Sequence, residues 1–231
     1  MNLSNRLKEI IKLVPKNSIV ADIGTDHGQI PVYLIENKIS KRVIATDISK
    51  PSLDKTIDLI KERKLEDKIL TKLGDGLEVL RPFQVDTVIM AGMGGILITE
   101  ILESNRKVTD SISHFIFQPM VASKELRQYL VENQFKIVDE SLAREGERFY
   151  EIILAKKGPS TIEKDIYYEL GPKLIEKNHP LLRTYIEKKI FQLNNIKNSL
   201  KKAKDAEALE KKRDIIEKIK AYREVLETIE S

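Results

Sequence analysis

The chain has 231 residues, no cysteine and only three histidines. Without cysteine there are no disulfides and no thiolate metal sites. Three scattered histidines offer no ligand cluster, so no metal is expected. No stretch approaches the roughly 20 apolar residues that cross a bilayer. Met1 to Lys16 is charged and amphipathic and lacks the apolar core of a secretory signal. Together these absences lead to the expectation of a soluble, cytoplasmic protein without a membrane segment. From about residue 162 onward there is also no convincing strand, so the last third is expected to be helical.

What remains is an alternation. The length fits one domain of about 150 residues plus an appendage. From residue 18 to 156, short apolar runs alternate with amphipathic segments. Ile19–Ile23, Arg42–Asp47, Ile69–Leu73, Val85–Ala91 and His114–Gln118 read as strands. Gly28–Asn37, Pro51–Arg63, a segment ending at Leu102, and Ser123–Asn133 read as the intervening helices. Such β/α units imply a parallel sheet with right-handed crossovers. Phe135–Leu142 and Phe149–Ala155 have no helix between them. The charged Ala143–Arg148 stretch joins them as a hairpin, which makes the sheet mixed. A first helix is expected over Ser4–Val14, capped by Ser4, with Leu7, Ile10, Ile11 and Val14 on one face.

The domain boundary is expected at Gly158-Pro159, giving domains 1–158 and 159–231. Pro180–Ala203 and Glu207–Ile229 each carry apolar residues at spacings of three and four. They read as two helices of about 24 residues, roughly 36 Å long, turning near Lys204-Asp205. The expected arrangement is an antiparallel coiled-coil hairpin. Its seam would hold Ile186, Ile190, Leu193, Ile196 or Lys197, and Leu200. The facing seam would hold Ile215 or Ile216, Ile219, Tyr222, Leu226 and Ile229. Charge follows the same division. Residues 1–155 carry 22 basic and 23 acidic side chains, whereas residues 156–231 carry 18 and 13. A basic appendage is the electrostatic footprint of a nucleic-acid contact, and equally that of a solvated helix face.

The residues with the most chemical content cluster at strand ends. The run Ile19–Ile23 stops at Gly24, and Gly28 opens the next helix. Gly24-Thr25-Asp26-His27-Gly28 is a glycine turn that lets backbone approach a nucleotide-like ligand. Asp22 before it could face an amino group. Asp47, at the end of the second strand some 20 residues later, could accept hydrogen bonds from ribose hydroxyls. Asp75, between Gly74 and Gly76 after the third strand, could accept from an adenine amino group. Gly92-Met93-Gly94-Gly95 follows the fourth strand, where glycines would leave room for a flat substrate and Met93 could lie against a base. His27 could act as an acid or base, or hold a loop hydrogen bond. Asp26 is the stronger candidate for a charge facing the substrate.

Five β/α units closed by a hairpin resemble the seven-stranded, Rossmann-like fold of S-adenosylmethionine-dependent methyltransferases. The motifs resemble one family more narrowly, the bacterial tRNA adenine-22 N1-methyltransferases. The matching residues are Leu3-Ser4-Asn5-Arg6-Leu7, Ala21–Gly28, Asp47-Ile48, Gly74-Asp75-Gly76-Leu77, Ala91–Gly95, Gln118-Pro119 and Tyr150–Ile153. The resemblance covers about residues 2–156. One departure stands out: Met120 follows Gln118-Pro119 where the family pattern leads one to expect Asn.

The resemblance implies methyl transfer from S-adenosyl-L-methionine to N1 of an adenine in the tRNA D-arm region. It implies a cofactor site from Asp22, Gly24, Thr25, Asp26, His27, Gly28, Asp47, Ile48, Gly74, Asp75, Gly76, Ala91, Gly92, Met93 and Gly94. Catalytic roles would fall to Asp26, Arg6 and Met93. Substrate contacts would come from Arg6, His27, Gly95, Gln118 and Pro119. From the basic hairpin, Lys188, Lys189, Lys197 and Lys201 (with Lys202 and Lys204) would contact tRNA phosphates. A monomer is expected, since an intramolecular helix pair already buries both seams. The residues alone leave other readings open: a methyltransferase acting on another RNA such as rRNA, a nicotinamide-dependent oxidoreductase, or a non-catalytic RNA-binding coiled-coil module.

Overall fold

In a computed structural model, which describes residues 1–200 and 206–230, the alternating segments become seven strands. These are β1 (Ser18–Ile23), β2 (Ser40–Asp47), β3 (Ile69–Leu73), β4 (Thr87–Gly94), β5 (His114–Val121), β6 (Phe135–Glu145) and β7 (Arg148–Lys157). Helices α1 (Asn5–Lys12), α2 (Gln29–Glu36), α3 (Lys50–Glu62), α4 (Gly95–Ser104), α5 (Arg106–Ser111) and α6 (Ser123–Glu132) complete this part. The strands form one sheet of order β3-β2-β1-β4-β5-β7-β6. β3, β2, β1, β4 and β5 run parallel, and β7 pairs antiparallel with both β5 and β6. The central strand explains its own sequence: Val20, Ala21 and Ile23 are all buried. A strand covered on both faces needs a continuous apolar run rather than alternation.

β1 lies between β2 and β4. The order therefore reverses at β1, and the connections leaving β1 and β4 diverge. In open α/β sheets that is where a crevice forms, outside the carboxyl ends of the strands. α1 closes one side of it. The Ser4 hydroxyl accepts from the Leu7 amide at its N-terminus. Its other ties reach β6: Asn5 Nδ2 donates to the Arg144 carbonyl at 3.2 Å, and the Ser141 hydroxyl donates to Glu9 at 2.7 Å.

Several boundaries differ from the sequence expectation. Gly92-Met93-Gly94 is not a free turn. It continues β4 as a bulged strand end, with Met93 registered against Pro119 and Gly94 against Val121. The hairpin is also tighter, because Glu145 still pairs with Arg148 and only Gly146-Glu147 turns. Gly146 takes φ +57°, which suits glycine there. α5 has no counterpart among the expected helices.

The chain separates into two compact units, Met1–Thr161 and Ile162–Ser231. Within the second are α7 (Asp165–Leu170), α8 (Pro172–Glu176), α9 (Leu182–Ser199) and α10 (Ala206–Glu230). α9 starts two residues after the expected Pro180. Asn178, just before α9, donates to the carbonyl of Ile229 near the end of α10 at 2.9 Å, so the two helices run antiparallel. The open choices resolve clearly: Ile215 is buried while Ile216 is exposed, and Ile196 is exposed while Lys197 is half-buried. Val225, absent from the expected seam, is buried and Leu226 only partly so. Tyr222 donates to Glu169 at 2.6 Å, and Lys218 pairs with the other oxygen of that carboxylate. The expected turn at Lys204-Asp205 and the candidate contacts Lys201, Lys202 and Lys204 lie outside the described residues.

Candidate active site at the carboxyl edge of the sheet

A cavity of about 490 Å³ opens where β1 and β4 end. Its walls include Gly24, Asp26 and His27 of the glycine turn, Ala91, Gly92 and Met93 of β4, Arg6 and Leu7 of α1, and Glu145, Arg148 and Tyr150 of the hairpin.

The glycine turn is pinned rather than loose. The amides of Gly24 and Thr25 both donate to the carbonyl of Thr46, at 2.9 and 2.8 Å. Gly24 has φ +73°, and a Cβ there would lie 2.4 Å from the terminal methyl of Met93. The Met93 side chain thus rests directly on the bare glycine. Gly28 has φ +64°, and a Cβ would press into Thr56 of α3 at 2.8 Å. Its role is helix packing at the entry to α2.

Asp22 sits at the floor of the cavity, 4 % exposed. Burial pushes its carboxyl up to about 6; the Asp47 charge adds to the rise and the Thr25 hydroxyl opposes it. A carboxylate held this way ionises near neutral pH at a cost that a cationic ligand group would relieve. Asp47 is also buried and accepts the Ser49 amide at 2.7 Å. The Gly74 amide donates to the Asp47 carbonyl at 3.0 Å, so Asp47 and the Gly74-Asp75 turn share one ledge beyond the cavity. Asp75 is exposed there, and Ile48 leaves an apolar side chain 71 % open to solvent. Gly76 is buried, packed against Ile101 of α4.

Opposite the glycine turn, Arg6 is held from three directions. Its amide donates to Glu145 at 2.8 Å, its Nη1 donates to Gln118 Oε1 at 2.8 Å, and its guanidinium lies 5.6 Å from the Tyr150 ring centre. Gln118 is fully buried, and its amide nitrogen donates to the Pro119 carbonyl. The Arg6 amide, first among the causes, keeps Glu145 below the usual carboxylate range. Asp26 and His27 are open to solvent: Asp26 Oδ1 lies 3.3 Å from His27 Nε2, with side chains 75 % and 49 % exposed.

Gly95 lies outside the cavity lining, and the α9 candidates belong to the second unit. Gly95 starts α4 and is buried against backbone, with a Cβ there 2.2 Å from the Ala122 carbonyl oxygen. It packs two segments together and does not line the cavity. On α9, Lys189 lies over the Tyr185 ring and Lys197 donates to Asn194; like Lys188, both are half-buried. Conversely, Leu7, Gln29, Ile30, Met120, Glu145, Arg148 and Tyr150 line the cavity, although their sequence pattern assigns them no site role. The sequence signals for the hairpin members are the charged Ala143–Arg148 stretch and, for Tyr150, the matching Tyr150–Ile153 motif.

Comparison with known proteins agrees with this geometry. Residues 3–153 match the family described as a methyltransferase domain. A Bacillus subtilis (strain 168) tRNA (adenine(22)-N(1))-methyltransferase is 27% identical over 98% of both chains. The crystal structure of the B. subtilis M1A22 tRNA methyltransferase TrmK superposes with a TM-score of 0.87 at 26% identity, covering 97% of this chain and 98% of that one. M. capricolum TrmK, solved with the cofactor product S-adenosyl-homocysteine, superposes with a TM-score of 0.82 at 30% identity, covering 96% and 98%.

Proposed function

The chain belongs to the methyltransferase-domain family and, within it, to the TrmK family of tRNA methyltransferases, and on that premise we propose that it transfers a methyl group from S-adenosyl-L-methionine to N1 of adenine 22 in tRNA. The observation that carries the reading is the cavity itself. A buried carboxylate and a bare glycine turn lie on one side, and a fixed arginine lies on the other.

The residues present fit this cofactor. Asp22 suits its amino group, the bare backbone of the Gly24 turn suits its methionine end, and Asp47 suits ribose hydroxyls. Asp75 and Ile48 on the adjoining ledge suit an adenine edge and face. S-adenosyl-L-methionine, when bound, supplies an electrophilic methyl on a sulfonium. The chain's own task is to aim the adenine N1 lone pair along that line. Neutral N1 needs no proton removed, so no strong general base is required. N1 lies on the Watson–Crick edge, so the target must be unpaired or flipped into the cavity. The methylated ring carries positive charge, and the Asp26 carboxylate at the rim can stabilise it. Arg6 is the candidate contact for the entering nucleotide, a role supported by its bracing against Gln118 and Tyr150. In the second unit, Lys188, Lys189 and Lys197 supply candidate phosphate contacts, supported by the basic balance of residues 156–231.

The test is transfer of labelled methyl to bulk tRNA, with the modified nucleoside identified. N1-methyladenosine that disappears when adenine 22 is replaced is the expected result. Tight cofactor binding with no transfer to tRNA would overturn the substrate assignment.

A further inference from the structure

α1 carries more than Arg6. Its other face borders a second cavity, about 440 Å³, between α1 and α2. Ile11 and Ile39 give this groove an apolar floor, the half-buried Tyr33 adds a ring, and Lys8, Lys12 and Lys16 line it. All three lysines are exposed. Lys12 is paired with Glu9 one turn earlier. Lys8 and Lys16 have no carboxylate partner among the described residues.

This concentration is not a by-product of a basic surface, because residues 1–155 carry one more acidic than basic side chain. Both cavities border α1: Arg6 and Leu7 line the catalytic cavity, and Lys8, Ile11 and Lys12 line the groove on another face of the same helix. A lysine rim over an apolar, ring-bearing floor matches one kind of ligand. Phosphates pair with the ammonium groups, and an unstacked base lies on the floor. We infer that the α1–α2 groove is a second RNA-contact site, holding a single-stranded nucleotide and its flanking phosphates. The inference rests on tRNA being the substrate. It moves part of the RNA grip onto the catalytic unit itself.

The experiment measures tRNA binding and methyl transfer for the full-length chain with Lys8→Ala/Lys16→Ala, Tyr33→Leu and Tyr33→Phe. For the double lysine variant, the tRNA KM rises about tenfold while kcat and cofactor affinity stay unchanged. The slope of log affinity against log salt also loses about 1.5, since each phosphate contact contributes roughly 0.7–0.9. Tyr33→Leu raises KM about tenfold, as loss of one base-stacking contact does, and Tyr33→Phe restores it. A peptide or lipid ligand in the groove would leave the tRNA salt slope untouched. An unchanged KM and slope in the lysine variant therefore overturn the inference, as does equal behaviour of the Leu and Phe variants. If the wild-type chain binds tRNA but transfers no methyl to it, the reaction assignment fails separately, and binding by the same variants still decides the groove.

Discussion

The sheet unit is almost neutral, yet it brings its charges to fixed places; the helical unit is basic, yet Lys189 and Lys197 of α9 are engaged locally. In the first, Arg6 is anchored by a buried glutamine, a hairpin carboxylate and a ring. Asp22 and Asp47 are buried side by side at strand ends. In the second, Lys189 covers Tyr185 and Lys197 bonds Asn194. Net charge is therefore a poor locator of a site. Position is set by long-range pairing in a sheet, whereas a helix mostly offers neighbours three or four residues away.

The largest effect expected from breaking this arrangement is at Arg127. It is fully buried, with Nε donating to Glu140 and Nη2 to Glu151, both at 2.7 Å. It ties α6 to both hairpin strands. Arg127→Ala strands two carboxylates in the interior and should cost ~3–5 kcal/mol in chemical denaturation. A loss below 1 kcal/mol would mean that the hairpin wall of the cavity does not depend on this triad.

Asp22 comes next, and its two readouts should move in opposite directions. Its carboxyl titrates near 6 in the fold against 3.8 ordinarily. A raised acid favours the protonated fold, so its contribution to stability falls as pH rises from about 4 through 6 and stays low above that. Asp22→Asn should therefore stabilise the chain at pH 8 by ~1–3 kcal/mol and by much less at pH 4. Cofactor affinity should fall about 100-fold in the variant, the scale of a lost charge-assisted contact. In the wild type it should weaken below pH 6. Titration calorimetry across pH reads both, and an affinity independent of Asp22 would remove it from the cofactor site.

Gly95→Ala is expected to act on folding alone. The added methyl meets the Ala122 carbonyl, and backbone yields less readily than a side chain. A cost of ~1–3 kcal/mol follows from overpacking, with the tRNA KM of the remaining folded enzyme unchanged. A raised KM at unaltered stability would return Gly95 to the substrate site. The smallest effect should come from the helical unit. Replacing Lys188, Lys189 and Lys197 together by Ala should weaken tRNA binding about fivefold at low salt. No change in affinity or salt slope would leave the α9 lysines as helix surface only.

Much of this protein is legible in its amino-acid order. The β/α alternation, the closing hairpin and the Ser4 cap follow from local periodicity and capping chemistry. The Gly24–Gly28 turn and Asp47 are readable because strand ends next to glycine carry a distinctive pattern. The differences between expectation and fold share a physical cause. Gly92-Met93-Gly94 looks like a loop, but pairing of Met93 with Pro119 on β5 keeps it in the sheet. Ile196 and Lys197 are equivalent by spacing, and only contact with the facing helix chooses between them. Glu145, Arg148 and Tyr150 reach the cavity because β7 inserts between β5 and β6 and carries the hairpin to α1.

Local sequence was thus sufficient for the seven strands, for most of the helices and for the chemistry of the strand-end turns, because hydrophobic period and glycine placement act within a few residues. Tertiary packing alone decided which of those groups share a cavity. It buried Asp22 deeply enough to raise its carboxyl above the usual range, packed Gly95 against the Ala122 backbone, and laid a lysine-rimmed groove along another face of α1. Each of these depends on residues far apart in the chain meeting in a low-dielectric, close-packed interior, which no local pattern encodes.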